Sequence, residues 1–313
     1  MPSIWKDYFV SFGAVDEADY TIQTGGETIY AGHAVRRPDQ AQLTVRINDV
    51  CADYLAHVVP SVASRTAVNE PSAATFTVKD AGGTTVDSVQ FVADWSHDYD
   101  HATSALADPV NGRVSADQAI VLSVLSTGAT SATLRYKDGT TGTISVSSAG
   151  GPLQVVSIPL GAIASLAAVT VGGHTYTVVG ACARYALLYV NAFGGWDTLL
   201  MEGREGLADS YDRHTMQQRY DNTQRSARGT VEYVNEVTRT WTLRTGWLKD
   251  DEAFRMHHVL GSTHVYLYDI PAGTLTPVVI TDQACEYKTY RGNGVRLVNY
   301  AVTCELAQNI IRR

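Results

Sequence analysis

The sequence predicts a mainly β protein: a split β-barrel or sandwich main domain with one or two short helices, plus an inserted small β-sandwich. Three observations predict it. Seventeen Tyr stand against six Phe, among many Thr, Val, Gly and Ser, a balance that suits half-buried pleated strands. The clearest apolar runs repeat at period two, as in Leu43, Val45 and Ile47 between polar Thr44, Arg46 and Asn48, which is the signature of a strand with one wet face. Gly-Gly and Asp-Gly pairs separate such runs where tight hairpins need positive φ.

The 313-residue length is long for one compact domain and suits two. Charged residues make up 18%, below the ~25% of ordinary globular chains. A formal net charge of −8 argues against coating nucleic acid, which takes clustered Lys and Arg. No apolar run is long enough to span a bilayer. The first residues lack a basic region followed by a long apolar one, so no export signal is expected there.

Taken in order, residues 1–107 form the first half of the main domain. An aromatic segment with Trp5, Tyr8, Phe9 and Phe12 leads into a hairpin turned at Gly25-Gly26. After a turn at Pro38 the strand through Leu43 leads to a short helix, capped by Asn48 or Asp49, running through Val50, Tyr54, Leu55 and Val58 and stopped by Pro60. Residues 61–72 read as loop, and 75–92 as a hairpin around Gly82-Gly83. Residues 108–180 change character. They carry almost no charge and contain six or seven short strands at roughly ten-residue spacing, with hairpin turns at Asp138-Gly139 and Gly172-Gly173. That is the inserted β-sandwich.

Residues 181–313 form the second half. Buried strands flank a turn at Gly194-Gly195, and a long polar arm follows over 203–228, well above ordinary loop length. The arm is open to two readings, an ordered arm reaching a neighbouring subunit or a disordered segment. A helix is expected over 248–260, with Asp250, Asp251 and Glu252 at its start, His257 and His258 at its end, and Gly261 as its stop. Its apolar face would comprise Ala253, Phe254, Met256, Val259 and Leu260. Strands follow through Cys285 and a turn at Gly292. In the last one Val298, Tyr300, Val302, Cys304 and Leu306 share a face at strict period two.

The residues spell out no chemistry. The cysteines Cys51, Cys182, Cys285 and Cys304 are far apart, with no metal-ligand spacing, and read as buried apolar side chains. A bridge between Cys285 and Cys304 is open but not required. His97 and His101 lie four apart among Asp94, Asp98 and Asp100, yet have no third ligand and no glycine-centred calcium loop. A solvated loop is the reading there, and helix position explains His257 and His258 better than ligation does. The carboxylate pairs Glu202/Glu205 and Asp94/Asp98 are close in sequence only, which is poor grounds for glycosidase geometry. Gly194-Gly195 lacks the rest of a phosphate-binding loop. No catalytic, cofactor-binding or metal-binding residue is assigned, no cofactor is expected, and the protein is expected not to be an enzyme.

Several stretches resemble a known family. They are Gly26-Glu-Thr-Ile-Tyr-Ala-Gly with Val45-Arg-Ile-Asn-Asp-Val-Cys-Ala-Asp-Tyr-Leu, the run Tyr185-Ala-Leu-Leu-Tyr-Val-Asn-Ala-Phe-Gly-Gly-Trp-Asp, and Val265-Tyr-Leu-Tyr-Asp through Pro277-Val-Val-Ile-Thr-Asp to Asn299-Tyr-Ala-Val-Thr-Cys-Glu-Leu-Ala. They resemble tail-associated virion proteins of phages and prophages of Bacteroides-type bacteria. The resemblance covers most of the chain outside 108–180, and its motifs are structural rather than catalytic. It implies a tail or baseplate structural protein in the distal-tail role: a β-barrel belt assembled into a homo-oligomeric ring, with 108–180 facing outward. The implied partners are other copies and other tail or baseplate proteins, with no nucleic acid and no membrane. The implied location is the virion tail, after synthesis in the host bacterial cytoplasm. The rival reading is a carbohydrate-binding or adhesion module whose residues 108–180 touch host surface glycan. The absence of Trp from that segment counts against a stacking sugar platform. A weaker third is a hydrolase of cell-wall polymer.

Overall fold

The computed structural model describes residues 4, 7–94, 106–107, 112–125, 129–161, 163–180, 183–217, 230–282, 297–308 and 310–312. Of these, 57% are in strands and 6% in helices, so the protein is mainly β. Its sheets are open, and among the described residues none closes into a barrel. Of the expected barrel or sandwich, the sandwich is what forms.

The chain divides into two compact units, residues 1–181 with 189–198, and residues 182–188 with 199–313. This division differs from the expected one, in which 1–107 joins 181–313 around an insert. The first unit opens with β1 (Phe9–Ser11), β2 (Glu17–Thr24), β3 (Glu27–Val35), β4 (Thr44–Arg46), α1 (Asn48–Ala52), β5 (Thr66–Asn69), β6 (Ala73–Asp80) and β7 (Thr85–Val92). β3, β2, β6 and β7 form one antiparallel sheet in that order, while β1 pairs with β4. Ile22, Phe76, Val78 and Phe91 point to one side of that sheet and pack with Ile47 and Cys51.

The remaining strands of this unit are β8 (Gly112–Ser115), β9 (Ala119–Val124), β10 (Thr130–Tyr136), β11 (Thr141–Val146), β12 (Gln154–Pro159), β13 (Leu166–Val171) and β14 (His174–Val179). They make a five-stranded sheet ordered β11-β10-β13-β14-β8, facing a three-stranded sheet ordered β5-β12-β9. Leu122, Leu134, Ile144, Ile158, Val169 and Tyr176 fill the space between. Segment 108–180 therefore has its own core, but it borrows β5 from residue positions before 70. β5 falls where a loop is expected, because four residues of mixed character carry no period of their own. Its pairing with β12, Val68 opposite Val155, makes it a strand.

The second unit continues from β15 (Tyr185–Val190) and β16 (Trp196–Met201), within which the chain passes between the units. It adds β17 (Gly206–Gln217), β18 (Thr230–Arg244), β19 (Leu248–Lys249), α2 (Asp250–Ala253), α3 (Arg255–Gly261), β20 (Val265–Asp269), β21 (Thr274–Ile280), β22 (Leu297–Val298), β23 (Ala301–Leu306) and β24 (Ile310–Arg312). One sheet runs β16-β15-β20-β21-β23-β18-β17, with β24 also on β18, and β19 pairs separately with β22.

Several local expectations are corrected. α1 ends at Ala52, well short of Val58. Asn48 does not cap it, because its amide donates to the Ile4 carbonyl at 2.6 Å and accepts from the Tyr8 N–H at 3.0 Å. In the turn at 138–139 only Gly139 has positive φ, +86°, and the Asp138 carboxylate instead accepts from Thr140 N–H and Oγ1–H. The helix expected over 248–260 begins as strand β19 and breaks at Phe254. Phe254 is 56% exposed rather than on the apolar face, whereas Arg255 and His258 are buried. The final period-two run is likewise split. Tyr300, Val302 and Cys304 are buried, but Val298 belongs to the other sheet. Half of the polar arm is strand β17, and 218–229 lie outside the described residues, as do His97, His101, Cys182, Cys285 and the turn at Gly292.

Candidate functional site

Three places gather polar groups in a way that needs explaining: a buried node in the first unit, an open groove on its surface, and the β17–β18 ribbon of the second unit.

The node is built on Glu70, whose side chain is fully buried. Its backbone is fixed first, since Glu70 N–H donates to the Leu153 carbonyl at 2.9 Å. One carboxylate oxygen lies 3.1 Å from His57 Nδ1 and accepts from the Val58 N–H at 3.2 Å; the other accepts from Trp196 Nε1–H at 3.3 Å. Trp196 N–H in turn donates to Ser123 Oγ at 2.9 Å. The turn before Trp196 is held as tightly. Asn191 Nδ2–H donates to the Leu106 carbonyl at 2.8 Å, and Asn191 Oδ1 accepts from the N–H groups of Phe193 and Gly195. Gly194 has φ +80°, and a Cβ on Gly195 would stand 2.0 Å from the Leu106 carbonyl oxygen. Both glycines are therefore structural, as the sequence reading has it. A buried carboxylate must spend its lone pairs on donors, and Glu70 spends them on two separate chain segments, 57–58 and 196. The node is a clamp, and its Trp lies 126 residues from its Glu, a distance no sequence motif could have revealed.

The groove, about 600 Å³, lies over β2, β3 and β6, with Tyr20, Gln23, His33, Lys79 and Asp80 on its walls. His33 Nδ1 sits 2.7 Å from Asp19 Oδ1, but the two side chains are 52% and 70% exposed. Ion pairs this wet contribute ~0–1 kcal/mol. Tyr20 has its hydroxyl pKa pushed up to about 12 by burial and by Tyr30, so it presents a neutral phenol. Among the described residues no group of three or more metal-ligating side chains converges.

The cysteines in view are not nucleophiles. Burial pushes the thiols of Cys51 and Cys304 up to about 12, with Asp282 and Glu305 adding to the effect at Cys304, and a thiol attacks only as thiolate. Of the carboxylates weighed in sequence, Glu202 is half-buried and Glu205 exposed, while Asp94 is buried and Asp98 lies outside the described residues.

The ribbon is different in kind. β17 pairs with β18 over its full twelve residues, Gly206 opposite Thr242 through Gln217 opposite Thr230. All twelve are exposed. β18 is flanked on its other side by β23 at Thr240–Arg244 and by β24 at Asn235–Val237; below Asn235 the described ribbon has two strands only. Leu207, Asp209, Tyr211 and Arg213 alternate onto one face. There Asp209 takes a bidentate pair of hydrogen bonds from Arg239, at 2.8 and 3.0 Å, and Arg213 lies 3.9 Å from Glu232 and over the Tyr211 ring. Leu207, Tyr211, Met216 and Tyr233 are all more than half exposed. The extra residue at the ribbon's single register shift is on β18, so β17 itself is regular. The sequence signal for it was the polar arm; its being a strand carries no hydrophobic period, because no face of it is buried.

The chain matches no protein-family model and no curated protein.

Proposed function

We propose that this protein is a non-enzymatic structural component of a phage tail or baseplate, which assembles with copies of itself into a ring and links the tail to the adsorption apparatus. The observation that carries the reading is β17: twelve consecutive residues, all exposed, which among the described residues lie at the edge of the largest sheet. An edge of that length with no Pro and no Lys invites strand pairing, which monomeric proteins normally block. The resemblance of the 26–55, 185–197 and 265–307 stretches to tail-associated virion proteins supports the same role. The well-cored sandwich of the first unit fits a building block. The test is sedimentation velocity and electron microscopy of the purified chain, with mass spectrometry of virions. Closed rings and presence in the particle are expected; a monomer at high concentration that is absent from virions would end the proposal.

One observation favours the glycan reading. The outer face of the five-stranded sheet carries a row of hydroxyls across four strands, Thr143, Thr133, Thr170 and Thr175, in register, with Thr170 Oγ1 and Thr175 Oγ1 2.9 Å apart. Binding of host polysaccharide by the full chain, lost on replacing Thr133 and Thr170 by Val, is the expected result of that reading. Retention in the double variant would discard it.

A further inference from the structure

We infer that β17 pairs antiparallel with β17 of a second copy about a two-fold axis at Tyr211. This rests on reading the ribbon as the assembly element, and it specifies the partner and the register. The other edge of the same sheet, β16, is buried over its whole length, so a neighbour's β17 cannot extend the sheet from there. Among the described residues no strand pairs with the outer side of β17, so that edge is the one to meet its own copy.

The register follows from symmetry and charge. A two-fold axis normal to the sheet keeps each face on itself, so a residue must stand opposite its own copy at the axis. Centring on Asp209 or Asp212 sets carboxylate against carboxylate, and centring on Arg213 sets guanidinium against guanidinium. Centring on Tyr211 places Asp209 opposite Arg213 of the second copy, and Arg213 opposite its Asp209. It is the one two-fold register of 206–217 that faces a carboxylate with a guanidinium. Ser210 then faces Asp212, Ala208 faces His214 and Leu207 faces Thr215, with no like charges opposed. Arg239 already sits on Asp209, and Glu232 near Arg213. The completed face therefore runs Arg239, Asp209, Arg213, Glu232 across the junction, alternating in sign on both sides of a Tyr–Tyr pair. Opposite charges and aromatics in directly opposed positions are the pairs that stabilise a sheet. A ring would need a second, different contact, since a two-fold pair closes on itself.

The experiment uses the full chain with single cysteines in the ribbon, the parent serving as control for its own four thiols. Under mild oxidation Y211C is expected to give a disulfide-linked dimer. L207C and T215C alone should not, whereas their mixture should cross-link. R213E replaces both attractive pairs with carboxylate–carboxylate contacts and should weaken self-association on the order of tenfold or more, with the circular dichroism unchanged. An oligomer in which Y211C fails to cross-link, or R213E has no effect, overturns this pairing and leaves the assembly reading standing. A chain monomeric at every concentration overturns both.

Discussion

β9 and β12 in the first unit and β17 in the second are all members of antiparallel pairs, and they spend their side chains in opposite ways. β9 buries all six residues and β12 all but Pro159; both face the sandwich core, and Ser123 of β9 also holds Trp196. β17 buries none of twelve. A hydrogen-bonded ladder is common to both, so what differs is where the side-chain free energy is gained. In the first unit it is gained on folding. In the ribbon it is still available for association. Substitutions should therefore separate the two regions cleanly: changes near Trp196 alter stability, and changes on β17 alter stoichiometry.

The sharpest test of that separation is Trp196→Ala, which removes the largest fully buried side chain and one Glu70 donor. It should cost about 4 kcal/mol, read as a large drop in urea midpoint. Glu70→Leu is next. It removes the acceptor of the half-buried Val58 N–H and of the buried Trp196 Nε1–H and should cost about 2–3 kcal/mol; a neutral result would mean the clamp contributes nothing.

Alkali should strike both units alike. The folded-state thiol pKa of Cys51 and of Cys304 is raised from an ordinary 9.0 to about 12. A raised folded pKa contributes stability that is intact below pH 9 and lost as pH climbs towards 12, at up to about 1.4 kcal/mol per pH unit for each thiol. Thermal melts between pH 8 and 11 should show this, and Cys51→Ala should flatten the response of the first unit only. On the ribbon, Asp209→Asn should cost less than about 1 kcal/mol, because its pair with Arg239 is partly solvated. Tyr211→Ser should change stability by less than about 0.5 kcal/mol while shifting the sedimentation profile. A stability loss at Tyr211 comparable to that at Trp196 would break the comparison.

What could be read in advance follows the same line. β2, β3, β6, β7 and the runs at 185–190 and 196–201 were legible, because burial of one or both faces leaves a pattern in the residues. β5 was not, since Thr66–Asn69 is a strand only through β12. Nor was β17, because a strand with no buried face has no period to detect and reads as polar connection. Asn48 looked like a cap because Asn usually serves as one, yet a partner 44 positions away claimed its amide. Phe254 falls on the buried face only in an unbroken helix, and the helix breaks there. The Glu70 clamp left no local trace at all, as its members come from positions 57, 58, 70 and 196. The exposed edge was visible only as an excess of polar residues, and its self-complementary spacing of Asp209, Tyr211 and Arg213 gained meaning once the strand was known.

The 126 residues between Glu70 and Trp196 also set a clock. A ribosome adding ~5–20 residues per second delivers Trp196 roughly 6–25 s after Glu70 has been made. During that interval β5 waits for β12, and the carboxylate of Glu70 stays in water. The first unit is therefore completed by nearly the last residues assigned to it, at 189–198, just before synthesis of the second unit begins in earnest. A nascent chain stalled before position 196 would hold most of the strands of that unit without the Trp that locks them, and would be the species most in need of a chaperone.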